Sequence, residues 1–200
     1  LAGLPQMPFV FAGGGVMSAE ALEPMMKASF SMMKMYPGGQ GMTEEQFRMI
    51  VEISVRSMQG MRSMGMVMGV GEGDQPLYSG MLLSMKVDDA EKYLDEYLET
   101  VSEMGKIMED ADFPFKYEVE SMQIDGRRGL KLAMDMEGMF GQQEIPQAEM
   151  MLKLMFGSDG TMNVFMAAAD KNTVLGSYVS KDNLISALKA FGQDDAQLVD

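Results

Sequence analysis

Residues 116–136 read "KYEVESMQIDGRRGLKLAMDM", and the Asp125-Gly126 pair at their centre decides the fold. Asp-Gly between two alternating runs marks a two-residue turn whose backbone twist matches that of the strands it joins. Such a turn fixes register, because a slip of one residue would turn every side chain to the wrong face. It sets Tyr117 opposite Met134, Val119 opposite Leu132 and Ser121 opposite Leu130 on one mainly apolar face. On the other face Lys116 meets Asp135 and Glu120 meets Lys131, two opposite-charge pairs of the kind that favour a half-buried hairpin.

Outward from this hairpin the pattern repeats. On its N-terminal side an amphipathic helix is expected from Asp88 to about 108, with Asp88 as cap and Glu91 three residues on. Ala90, Tyr93, Leu94, Tyr97, Val101, Met104 and Met108 form its apolar stripe, and Asp95, Glu96, Glu99 and Glu103 its acidic face. Two strands precede it, Arg62–Val70 and "LYSGMLLSMKV" at 77–87, separated by the loop "GEGDQP". On the C-terminal side a Gly- and Gln-containing loop leads to a helix starting near Pro146. A third hairpin, 161–180, turns at "DKNT". Ser180 then caps a last helix with Leu184, Ala187, Leu188 and Phe191 inward and Gly192 as its stop.

At the N-terminal end "MPFVFAGGG" reads as a short strand stopped by Gly13–Gly15. A helix over 18–36 follows, entered at Pro24 and carrying Leu22, Met25, Met26, Phe30, Met32, Met33 and Tyr36 on one arc. "PGGQG" at 37–41 breaks it. Thr43 and Gln46 make a capping box for a helix from 44 to about 60, with Phe47, Ile50, Val51, Ser54, Met58 and Met61 at helical spacing.

From residue 61 onward the order is therefore strand–strand–helix three times, and residues 88–97 and 182–191 share a faint repeat. The expectation is an α+β fold: a mainly antiparallel sheet built from hairpins, with amphipathic helices packed on one face. It forms one domain over 1–200, with an N-terminal strand and helix pair in 1–60, the three units in 61–192, and a frayed tail at 193–200. The initial Leu and the ending "DDAQLVD" read as a piece of a longer protein.

Composition removes whole classes of chemistry. The chain has 200 residues and a net charge of −14, so a phosphate backbone is repelled and nucleic acid is not an expected partner. No apolar run approaches the length of a membrane span. Cys, His and Trp are all missing, which excludes disulfides, zinc sites on Cys or His, thiolate nucleophiles and His-based triads. Asp and Glu remain for carboxylate hydrolysis, but no pair is singled out. "EDAD" at 109–112 lacks the spacing of a calcium loop, and "GGGVMS" at 13–18 lacks the Lys-Ser/Thr of a phosphate loop. Neither a cofactor nor a resident metal is called for.

Met is the anomaly, at 27 residues. Met64, Met66 and Met68 alternate along one strand, so their side chains share a face at steps of roughly 6.6 Å. Thioethers are soft ligands suited to Cu(I), but a site needs converging sulfurs, with Met81 or Met85 joining from the next strand. Because Met is dispersed along the chain, the favoured reading is packing against the helix at 90–108, through Tyr93, Tyr97 and Val101. The helix "AEMMLKLMFG" at 148–157 differs. Only Glu149 and Lys153 interrupt its apolar surface, so it is expected either as a core helix buried on several sides or, through Met150, Met151, Leu154 and Met155, in contact with a protein or apolar partner.

The stretches "YSGMLLSMKVDDAEKYLDEYLE" and "NTVLGSYVSKDNLISALKAF" resemble, at the level of pattern over residues 61–192, a group of uncharacterised exported bacterial cell-envelope proteins with an α+β domain. In these, strands feed amphipathic helices after an Asp- or Ser-capped turn. The resemblance implies export to the cell envelope and a role without catalysis, and it transfers no site residues. The resulting expectation is a non-catalytic exported domain that binds a protein or apolar partner through Met-rich surface. A carboxylate-based hydrolase and a Cu(I)-binding domain are the alternatives.

Overall fold

The computed structural model describes residues 9–16, 24, 28, 43–69, 75–110, 116–135, 146–157 and 161–191. The fold is α+β, built on a seven-stranded antiparallel sheet. The strands are β1 (Phe9–Val16), β2 (Met61–Gly69), β3 (Met81–Val87), β4 (Tyr117–Ile124), β5 (Arg127–Asp135), β6 (Thr161–Asp170) and β7 (Thr173–Tyr178). Their order across the sheet is β1-β2-β3-β7-β6-β5-β4. Among the described residues the helices are α1 (Glu44–Ser57), α2 (Ala90–Asp110), α3 (Pro146–Phe156) and α4 (Lys181–Ala190).

The β4–β5 hairpin has the expected register, with Tyr117 opposite Met134, Val119 opposite Leu132 and Glu120 opposite Lys131. Asp125 and Gly126 have φ of 51° and 73°, the left-handed pair that a tight hairpin turn requires. The Glu120–Lys131 ion pair spans 3.5 Å. The Thr43 capping box is also formed. The Thr43 hydroxyl accepts from the Gln46 N–H at 3.2 Å, and the Thr43 N–H donates to the Gln46 side chain at 2.9 Å. Ser180 caps α4 by accepting from the Asn183 N–H.

The layering departs from a sheet with helices on one face. On the front, Tyr93, Leu94 and Val101 of α2 pack on Leu130, Leu132, Val164 and Met166. On the back, Leu184, Ala187 and Leu188 of α4 pack on Val67, Leu82, Phe165, Ala167 and Leu175. The cause lies in β6, whose run "VFMAAA" does not alternate, so both of its faces need cover. The turn into α4 carries Val179 at φ 64°, a left-handed conformation that a β-branched residue adopts only at a cost. α1 forms a further layer, with Ile50 and Ile53 against Ile107 and Met108 of α2.

Local boundaries also moved. β1 does not stop at Gly13; it pairs with β2 through all three glycines to Val16. A side chain at Gly14 would meet the Met64 carbonyl oxygen at 3.0 Å, so the glycines permit close strand approach rather than a turn. Residues 77–80 form a 3-10 turn rather than strand. Pro76 fixes its entry, and its carbonyl accepts from the Ser79 N–H and hydroxyl. The α2 cap is Asp89, whose carboxylate accepts from the Lys92 N–H at 3.0 Å, whereas Asp88 pairs with Arg62. The expected helix at 18–36 falls outside the described residues except Pro24 and Ala28, which are helical, and the tail at 193–200 lies outside them too.

Candidate functional site

The α3 helix is fixed from below and bare above. Leu152 and Phe156 are buried, and the Phe156 ring stacks on Tyr78 of the 3-10 turn with centroids 5.3 Å apart and planes 8° from parallel. Tyr78 in turn contacts Tyr178 of β7 at 6.4 Å. Gly157, at φ 105°, ends the helix, and its N–H donates to the Lys153 carbonyl. Leu152 and Phe156 are four residues apart and share one side. The other side carries Met150, Met151 and Leu154, which are 69%, 50% and 64% exposed, with the partly covered Met155 beside them. Leu77, on the turn beneath the helix, is 48% exposed.

A second Met-bearing surface lies on the front of β1–β2–β3. Met64 stands opposite Met85, Met66 opposite Leu83, and Met68 opposite Met81. On the other flank β1 presents Gly15, Gly13 and Phe11 at the same three positions. Met64, Met66 and Met68 do share a face, as their spacing requires, but α2 does not cover them. That helix leaves β3 and must reach β4 at the far edge. It therefore runs over β7, β6 and β5, away from β2. Of the expected aromatic partners, Tyr93 serves Met85 instead: its hydroxyl donates to the Met85 sulfur at 3.8 Å. Met64 is left 38% exposed, and Met66 and Met68 are half-buried.

The titratable groups with raised values are tyrosines of the front core. Burial pushes Tyr97 and Tyr117 up to about 12, with Tyr178 and Tyr117 adding to the effect on Tyr97. Tyr93 is raised further, by burial and then by Tyr97. Burial also raises Tyr178. The carboxyl of Asp170 is lowered. Burial works against this, but the Thr173 hydroxyl, the Asn172 and Thr173 N–H groups and the charge of Lys86 outweigh it. That suits a turn residue rather than a general acid. Of the "EDAD" cluster, Glu109 and Asp110 are exposed at the end of α2, and 111–112 lie outside the described residues. Among the described residues, three or more of His, Cys, Asp and Glu nowhere gather as a metal site, and no helix is long and apolar enough to cross a membrane.

Sequence reasoning missed Tyr78 as the support of α3. Its place in an apparent strand run hid it, and Pro76 was the available signal. Comparison with family models, curated proteins and solved structures finds no match to this chain.

Proposed function

We propose that this chain is a non-catalytic binding domain of the cell envelope that docks a protein or apolar ligand on the outer face of α3. The observation that carries the reading is the exposure of Met150, Met151 and Leu154 on a helix whose opposite side is anchored by Leu152 and the Phe156–Tyr78 stack. Exposed apolar side chains clustered on one helix face mark interaction surfaces, and flexible Met side chains adapt to varied apolar partners. The export part of this reading rests on the resemblance of residues 61–192 to exported envelope proteins. The negative charge of the chain disfavours nucleic acid as the occupant.

A photo-reactive amino acid at Met151 tests the reading in an envelope extract, with the same group at Glu118 as control. The expected result is a discrete crosslinked product at 151 that disappears in the Met150→Lys/Leu154→Lys variant while the melting curve is unchanged. Native mass spectrometry of the purified chain reports a retained apolar ligand. Crosslinking at 151 no stronger than at 118, with no retained ligand, overturns the proposal.

A further inference from the structure

We propose that Met66, Met68 and Met81 form a binding site for a soft monovalent cation of the Cu(I) class, independent of the α3 surface. In the sequence, the Met ladder reads as packing beneath α2, and converging sulfurs are the missing requirement. The structure removes the first point and supplies a cross-strand register for the second. α2 lies over the other half of the sheet, and the register sets Met68 directly opposite Met81 with Met66 one diagonal step away. Directly opposed side chains stand about 4.5–5.5 Å apart at Cβ and diagonal ones about 7–8 Å, within reach of three long thioether chains leaning together. Met85 is unsuited to join, because its sulfur already accepts from the Tyr93 hydroxyl.

The surroundings favour an ion over simple packing. Gly13 stands beside Met66 on β1 and Gly15 beside Met64, and a side chain at Gly15 would meet nothing within 4 Å. The β1 flank is therefore open beside Met64, at the mouth of the site. The Phe11 ring folds over Gly13, where an added Cβ would lie 2.8 Å from it, and so walls the site beside Met66. Met66 and Met68 are half-buried and Met81 buried, an arrangement that excludes most water while leaving an approach. Thioether sulfur binds Cu(I) in preference to hard divalent ions, and the net charge of −14 draws cations towards the surface.

The test loads the whole chain with Cu(I) anaerobically, desalts it, and measures retained copper against a chromophoric Cu(I) chelator. One ion per chain is expected, with affinity weakened by more than about tenfold in Met66→Leu/Met68→Leu, a loss that even outer contacts of metal sites produce. Leu conserves volume at these positions, so the fold is expected to persist, and circular dichroism checks it. Because other Met residues could hold copper, titration with Ag(I) is followed on ¹³C-methyl-labelled methionine. The Met66, Met68 and Met81 signals should shift first. Absence of retained copper, retention unchanged in the double variant, or silver shifts confined to other methionines overturns the proposal.

Discussion

The two halves of the sheet solve the same problem differently. In the half made of β4, β5 and β6, a two-residue turn fixes the register, apolar side chains alternate, and α2 covers the front. The outer edge there carries Glu118 and Glu120, charges that discourage a further strand from pairing. In the half made of β1 and β2, glycines replace side chains, methionines replace branched residues, and Phe9, Val10, Phe11 and Val16 are exposed. Patterned, covered strands make stability; flat Gly-Met strands make accessible surface.

The sharpest test of that contrast is truncation in each half. Leu130 is fully buried beneath α2, so Leu130→Ala should cost about 2–5 kcal/mol in a denaturant melt. Met66→Ala, at a half-buried position that α2 leaves uncovered, should cost less than Leu130→Ala, since part of its area already faces water. Equal costs would break the comparison. Glycines give the next test. A Cβ at Gly129 of β5 would lie 2.6 Å from the Met166 carbonyl oxygen, so Gly129→Ala should destabilise by about 1–3 kcal/mol through overpacking. At Gly15 of β1 there is open space, and Gly15→Ala should be neutral or slightly stabilising by thermal melt.

Alkaline pH should act on the covered half alone. The folded values of Tyr97 and Tyr117, about 12, exceed the unfolded value near 10. The stability they confer is thus full below about pH 10 and lost as pH rises towards 12. Absorbance titration near 295 nm should show tyrosine ionisation coinciding with loss of near-ultraviolet dichroism; ionisation of these residues near 10 in the folded chain would refute it. Smaller still is Arg128→Ala, which removes the clamp from β5 to Asp95 of α2. The pair is partly exposed, so the cost should be within about 1 kcal/mol.

Legibility in the sequence followed the same division. Asp125-Gly126 and the alternation around it gave the β4–β5 register to the residue, because turn chemistry and face pattern demand the same pairing. Thr43 and Ser180 were readable as caps because a side-chain oxygen three residues before a free N–H is a local arrangement. The strand end at Gly13 was misread, because close approach of β2 is a neighbour's property and leaves no mark within β1. The placement of Met64, Met66 and Met68 under α2 was misread for a topological reason. Which strands a helix crosses depends on where the chain goes next, and β4 joins the far edge. In α3, the apolar excess at Met150, Met151, Leu154 and Met155 was visible, whereas the side that is anchored depended on Tyr78.

The central pairing of β3 with β7 sets a timetable for folding. Leu83 sits beside Gly176, so this pairing joins a strand from the middle of the chain to one near the C-terminal end of the described residues, while each hairpin is local. Long loops close slowly because their entropy is lost before any contact rewards it. During synthesis β3 must wait for β7 to emerge, with one edge of an apolar strand unpaired throughout. The buried pair Leu82 and Leu83 therefore marks where a nascent chain most needs a chaperone, and where delayed completion would favour aggregation.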